Sequence, residues 1–401
     1  MKRLGPGTSV LFWMTVAQAG ATLDQQGLGS LAPFFAAELR LDHAALGALF
    51  GAIYLGSTLF TAPSGILVDR YGERTIVVGS GVLMGASVAL GALVPHAGWL
   101  TGWLFVFGAL YAASSPAGGR AILRWFSRNR GMAMGVRQAG APLGGALGAL
   151  ILPAVALTFG GYRPALVCGG AICALAAVAA GLGYHEPPGD DAAAAPVSMR
   201  ALLRGMWRFV VERRAFAVNV GALLLASGQY SVVAFLVLGL LHDHYPRSLA
   251  SLSLAIVMIA GTIARPLWGV LSDRVFAHER AYALAIVGVI GALGCLWLGA
   301  LGESGRGAAA VVAIAVVLGA TLLGFTGLLN TVFAEIGGPA AAGSAMGVGL
   351  TFNYAAGFIA PPLFGVIVDR FGFVPAWRTL ALDLAAAALI VAAGARRKAS
   401  P

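Results

Sequence analysis

The chain has 401 residues, 59% of them apolar or aromatic and only 10% charged, with a formal net charge of +10. A soluble domain uses about 25% charged residues to cover its surface, so two or three water-soluble domains are excluded and a bilayer is the expected solvent. The 57 glycines follow no collagen period, and Cys168, Cys173 and Cys295 stand in apolar runs at neither disulfide nor metal spacing.

A spanning helix needs about 20 mostly apolar residues. Twelve such stretches follow one another, the first at 10–37, with Asp24, Gln25 and Gln26 near its middle. Residues 1–19 have the outline of a signal peptide, but cleavage would leave an odd number of spans, so the segment is expected to stay. Next come 44–67, 75–95, 98–123, 131–158 (carrying Arg137 and Gln138) and 163–184. Residues 185–214 are longer than any other connection. Beyond them lie 215–241 with Gln229-Tyr230, 248–270 with Arg265, 281–301, 307–334 with Asn330, 343–368 with Asn353-Tyr354, and 376–395. The runs are too long for strands and lack a period-2 polar pattern. The expected fold is an all-α membrane protein with twelve transmembrane helices. Its organisation is an N-terminal six-helix bundle over 1–184, a cytoplasmic linker over 185–214, and a C-terminal six-helix bundle over 215–401.

With the N-terminus inside, 18 of the 26 Lys and Arg residues fall on the cytoplasmic side and 6 on the outer side. The remaining two, Arg137 and Arg265, lie within the membrane. The basic balance is thus a positive-inside signal rather than a nucleic-acid surface. It predicts a multi-pass protein of the inner or plasma membrane with both termini cytoplasmic.

The halves repeat. GMAMGV at 131–136 matches GSAMGV at 343–348, and the same offset carries Gly145 to Gly357 and Phe159-Gly160 to Phe371-Gly372. GILVDRYGER at 65–74 has a second copy in GVLSDRVFAHER at 269–280. Pseudo-symmetric halves of this kind usually bracket a substrate path near the bilayer midplane.

GILVDRYGER resembles the loop signature between the second and third helices of the major facilitator superfamily, through Gly65, Leu67, Asp69, Arg70, Gly72 and Arg74. Glu73 stands where the family usually has a basic residue. The resemblance covers essentially the whole chain and implies two six-helix bundles rocking about a central cavity, in alternating access. It gives Gly65, Asp69, Arg70 and Arg74, with Asp273 and Arg274 of the second copy, a gating role. Asp69 can accept from a helix N-terminus or pair with an arginine, and the alternative is a plain positive-inside turn. Gly140, Pro142, Gly144 and Gly145 resemble the family's glycine-proline motif on helix 5, and close helix packing is the simpler account of them.

An ionisable residue at a helix centre costs at least about 2.5–3.5 kcal/mol on insertion scales, so it needs a partner or a wet cavity. Asp24, Arg137 and Arg265 meet that description. The arginines sit about 10 and 12 Å from the cytoplasmic ends of their helices, at 1.5 Å per residue. Arginine stays protonated and presents a planar fork suited to carboxylate or phosphate. Two such forks and one carboxylate leave a site that favours a small anionic solute. ARPLWGVLSDR at 264–274 also resembles helix 8 of monocarboxylate transporters and the oxalate/formate antiporters, where an arginine before a proline contacts the substrate carboxylate. Arg265 matches that position. The aspartate that proton-coupled members place one turn earlier is replaced by Gly261, and no lysine occurs in 343–368.

Asp24 is the candidate for proton coupling: burial makes a carboxyl hold its proton, while a nearby arginine opposes this. A fixed Asp24–arginine ion pair is the structural alternative, and direct contact with a polar group of the substrate is the third. Arg137 either meets substrate, pairs with another side chain behind the site, or snorkels, and Arg120 is expected to snorkel to the cytoplasmic face. Gln229, Tyr230, Asn330, Asn353 and Tyr354 could complete a substrate site or bond helix to helix. Residues 198–214 read as a basic amphipathic helix lying on anionic headgroups. The histidines, among them His43, fall at span ends and are expected to be solvated. No nucleotide-binding loop, metal cluster or nucleophilic catalytic motif occurs, so neither a cofactor nor an enzymatic activity is expected. The leading expectation is a monomeric secondary transporter of a small organic anion, a monocarboxylate foremost, by symport driven by the proton gradient. Proton-driven efflux of drugs or metabolites is the alternative, and a non-transporting receptor on the same scaffold is the third.

Overall fold

The computed structural model describes residues 6–94, 96–126, 130–185, 207, 209–276, 279–304 and 307–395, and all regular structure among them is helical. In chain order the helices are α1 (Pro6–Gly27), α2 (Ala32–Leu39), α3 (His43–Tyr71), α4 (Glu73–Gly91), α5 (Ala97–Tyr111), α6 (Ser114–Trp125), α7 (Arg130–Phe159) and α8 (Tyr162–Gly183). The second series is α9 (Arg213–His242), α10 (Arg247–Val275), α11 (Ala281–Ser304), α12 (Ala308–Leu318), α13 (Thr326–Phe371) and α14 (Phe373–Ala395). A 3₁₀ turn, Leu28–Leu31, joins α1 to α2, and a π turn, Gly319–Leu323, follows α12.

Among the described residues eleven helical stretches are long and apolar enough to cross a membrane. Helix α1 has the length, 22 residues, but less apolarity. Its polar side chains are turned inward: Gln18, Thr22, Asp24, Gln25 and Gln26 are all buried. A helix whose polar stripe faces protein need not be apolar all round.

The boundaries differ from the sequence reading in three places. The stretch expected as one helix at 10–37 turns at the 3₁₀ segment before Pro33, and that expected at 98–123 breaks at Ala112–Ala113. The break expected between 334 and 343 is absent, because α13 continues through it as 46 helical residues. Straight, that helix would be about 69 Å long, more than twice the hydrocarbon thickness. The two apolar stretches, Ala308–Phe333 and Gly347–Phe371, lie on either side of Gly337-Gly338-Pro339.

The chain divides into two compact units, Met1–Leu41 with Ala48–Ala194, and Asp42–Gly47 with Ala195–Pro401. In the first unit α1 packs on α7 and α8, and α4 on α8 and α5. In the second, α9 packs on α13 and α14, and α11 on α14. The sequence repeat thus reappears as repeated packing. It is also visible in how helices stop: α7 ends at Gly160 and α13 at Gly372, both at positive φ (78° and 87°). Only a residue without Cβ enters that left-handed region at little cost, which is why Phe-Gly recurs at both ends.

Helix α7 approaches α1 through a stripe of glycines. A Cβ on Gly140, Gly144 or Gly148 would overlap the backbone carbonyl of Thr15, Ala19 or Leu23 respectively. The spacing of four places all three on one face, the small-residue interface of membrane helices. Packing therefore explains Gly140 and Gly144 of the glycine-proline motif.

Candidate functional site

In the first unit the polar interior is organised by Gln18. Its Oε1 accepts from Arg137 Nη1 at 2.8 Å and from Ser114 Oγ at 3.2 Å, and its Nε2 donates to the Tyr111 hydroxyl at 3.1 Å. Arg137 is only 2% exposed and lies under Gly118, where a Cβ would meet the guanidinium. A cavity of about 20 Å³ borders Gln18, Ser80, Ser114, Arg137 and Cys173, space for a single water. Of the alternatives to substrate contact for Arg137, snorkelling does not occur: the side chain turns into the bundle and pairs with Gln18. Gln18 itself went unnoticed in the sequence. The signal that could have found it is a lone amide amid apolar residues on the same helix as Asp24.

Asp24 is fully buried, and neither carboxylate oxygen has a hydrogen-bond partner among the described residues. It faces Gly169 of α8, where a Cβ would collide with Oδ1, and no Asp24–arginine pair forms among the described residues. The space comes from the glycine.

At the end of α3 the signature motif is arranged differently from expectation. The residue that departs from the family pattern, Glu73, is 1% exposed and accepts from Arg124 Nη1 at 2.7 Å. It also lies 3.4 Å from Arg120 Nε and accepts the Tyr184 hydroxyl proton. Arg120 does not snorkel; it pairs with Glu73 and donates to the Val68 carbonyl. Arg74 donates to the Gly181 carbonyl at 2.9 Å, near the C-terminus of α8, while Arg70 is exposed and sits over the Tyr71 ring. Gly65 lies within α3. The side chains of Asp69 and Asp273 lie outside the described residues, as do 198–206 and Arg208 of the expected amphipathic helix. Arg274 is exposed. After the second copy of the motif, Glu279 pairs with Arg214 at 2.7 Å and Arg280 with Glu335 at 2.5 Å.

In the second unit, Tyr230 donates to Asn353 Oδ1 at 2.7 Å, both residues buried. Gln229 is buried beside Tyr230, and Asn330 and Tyr354 are partly buried. Arg265 is half-buried on α10 and donates through Nε to the Leu323 carbonyl at 3.2 Å, at the end of the π turn. One turn earlier, a Cβ on Gly261 would meet Leu323 Cβ at 2.5 Å, so the turn occupies the space a side chain there would need. Trp268 donates to the Ala320 carbonyl at 2.7 Å.

His43 is not a free loop residue. Asp369 receives the backbone N–H groups of His43 (3.0 Å) and Ala44 (2.8 Å) and pairs with His43 Nδ1 at 2.6 Å, capping the first turn of α3. GVIVDRFG at 365–372, a further echo of GILVDRYG, is the mark of this cap in the sequence.

The family model for the Major Facilitator Superfamily matches residues 14–361. A Mycobacterium tuberculosis protein described as an uncharacterized MFS-type transporter, Rv2994, is 30% identical, over 84% of this chain and 73% of its own. A probable sulfoacetate transporter of Cupriavidus necator, SauU, is 24% identical over 88% and 85%. Human monocarboxylate transporter 11 is 29% identical over 76% and 65%. The bacterial homolog of the human lysosomal transporter Spinster, in an inward-facing and occupied conformation, superposes with TM-score 0.76 at 18% identity, covering 98% of this chain and 96% of that one, a likeness of fold. With its apolar helices, its repeated packing and the match along most of its length, this multi-pass membrane protein belongs to the Major Facilitator Superfamily, a family of membrane transporters.

Proposed function

We propose that the chain is a secondary active transporter of a small organic anion, a monocarboxylate in the first instance, working by alternating access in symport with protons. The observation that carries this reading is Arg265. It is a half-buried guanidinium within a membrane helix, and a backbone carbonyl holds its Nε. A fixed planar fork recognises a carboxylate in two places at once and is attracted to it over a neutral or cationic solute. The relatives named for sulfoacetate and monocarboxylate support an anionic substrate.

Gln229, Tyr230, Asn330, Asn353 and Tyr354 complete the substrate path in this reading. Arg137, with room beside it for one water, supports the charge of the path from within the first unit. Asp24 is the proton carrier: an acid with no fixed partner exchanges its proton without first breaking an ion pair. No cofactor is required beyond the proton gradient. Both termini lie in the cytoplasm and the protein works as a monomer. The basic linker rests on anionic headgroups, and Arg70, Arg74 and Arg274, with Gly65, Asp69 and Asp273, gate the cytoplasmic end.

Uptake of labelled lactate and pyruvate into proteoliposomes tests the reading. An inward proton gradient is expected to accelerate uptake. Arg265→Gln should raise KM by at least about tenfold, the loss of one charge-assisted contact, and Asp24→Asn should abolish the response to the gradient. Unchanged carboxylate uptake in Arg265→Gln, or transport of amphiphilic drugs with no carboxylate uptake at all, would overturn it.

A further inference from the structure

The π turn Gly319–Leu323 interrupts the helical hydrogen-bond ladder in a specific way. Gly324 N–H donates to the Gly319 carbonyl and Phe325 N–H to the Thr321 carbonyl, at 3.1 and 3.2 Å. The Ala320 carbonyl lies between these two acceptors, and the backbone donors four and five residues on are thus both engaged elsewhere. A π turn commonly marks such a local rearrangement at a functional position. A partly buried carbonyl whose usual backbone donors are engaged elsewhere is satisfied by a side chain. Trp268 Nε1 supplies it at 2.7 Å.

Gly261, Arg265 and Trp268 stand at i, i+4 and i+7 on α10, one stripe of one helix face. Each meets the turn: Gly261 by lying against Leu323 without a side chain between, Arg265 through the Leu323 carbonyl, Trp268 through the Ala320 carbonyl. The two side-chain donors, Arg265 and Trp268, both end on carbonyls of the same five-residue turn. The indole is rigid, with two rotatable bonds, and its N–H points one way only. Fixing it fixes the rotation of α10 against the turn, and with it the distance between Arg265 Nε and Leu323 O.

We infer that Trp268 and the π turn aim the Arg265 guanidinium, so that Trp268 is a positioning residue for anion recognition. The inference rests on the proposed function, in which Arg265 meets the anion. Trp268 does not touch the solute. It keeps the guanidinium plane at one tilt, so that the paired N–H bonds converge on a carboxylate instead of sweeping a cone.

The test uses the full-length protein in proteoliposomes, with lactate as probe and lactamide as its neutral analogue. Trp268→Phe retains the ring and removes only the N–H. It is expected to raise the KM for lactate by about tenfold, the scale of one misaligned charge-assisted bond, with kcat, lactamide competition and the unfolding midpoint near those of the parent. Combined with Arg265→Gln it should add nothing further, since both changes remove the same interaction. A Trp268→Phe protein whose lactate KM stays within about twofold, while Arg265→Gln raises it, overturns the inference and leaves the anion reading standing. So does a fall in kcat and unfolding midpoint at unchanged KM, the mark of a packing role alone. If Arg265→Gln itself leaves lactate uptake intact, the anion reading fails and the inference falls with it.

Discussion

Gln18 is a single amide that satisfies an arginine, a serine and a tyrosine at once. A hydrogen bond to a charged group is worth about 1.5–3 kcal/mol, and a buried donor left unmade costs the full desolvation. Gln18→Leu is therefore expected to destabilise the protein by about 2 kcal/mol, with Gln18→Glu, which keeps an acceptor, close to the parent. Thermal unfolding of the detergent-purified variants reads this difference. Nothing in the neighbourhood of Gln18 in the sequence names its partners, because Tyr111, Ser114 and Arg137 come from two other parts of the chain. Asp24, Arg137 and Arg265 were legible for the opposite reason: one charged residue in an apolar run is costly wherever the helix sits. Their partners were not. Glu73, a departure from a motif, turned out to be buried, because the arginines of α6 come to meet it.

Helices show a similar division. The glycines of α7 recur every four residues, which in a membrane helix already suggests a close approach, yet only the packing shows that α1 is the partner. Gly144→Val should force α1 and α7 apart against the Ala19 carbonyl and cost about 1–3 kcal/mol, the usual price of overpacking. Gly135→Val, on an exposed position of the same helix with open space around it, should cost far less, and the unfolding midpoints of the two variants compare them directly. The π turn, the 3₁₀ segment after α1 and the uninterrupted α13 escaped the sequence reading. Such features depend on which carbonyls neighbouring helices can satisfy, and hydropathy carries no record of that.

For the whole molecule, the uneven distribution of Lys and Arg is the argument for orientation. A single cysteine at His244, in a protein with its three native cysteines replaced, should react with a membrane-impermeant maleimide from outside intact cells, whereas one at Arg397 should react only after permeabilisation. The reverse pattern would invert the proposed topology. The sequence by itself determined the membrane class, the repeat, the family and the three intramembrane charges, since each is a matter of composition, period or motif within one stretch of chain. Only the tertiary structure decided that Asp24 pairs with no arginine among the described residues, that Arg137 closes on Gln18, that Glu73 gathers Arg120 and Arg124, and that Arg265 is held by a turn some 58 residues away. The physical reason is common to all four. Satisfaction of a polar group in a dry interior is a contact between helices remote in sequence, and the choice among possible partners is made when those helices pack.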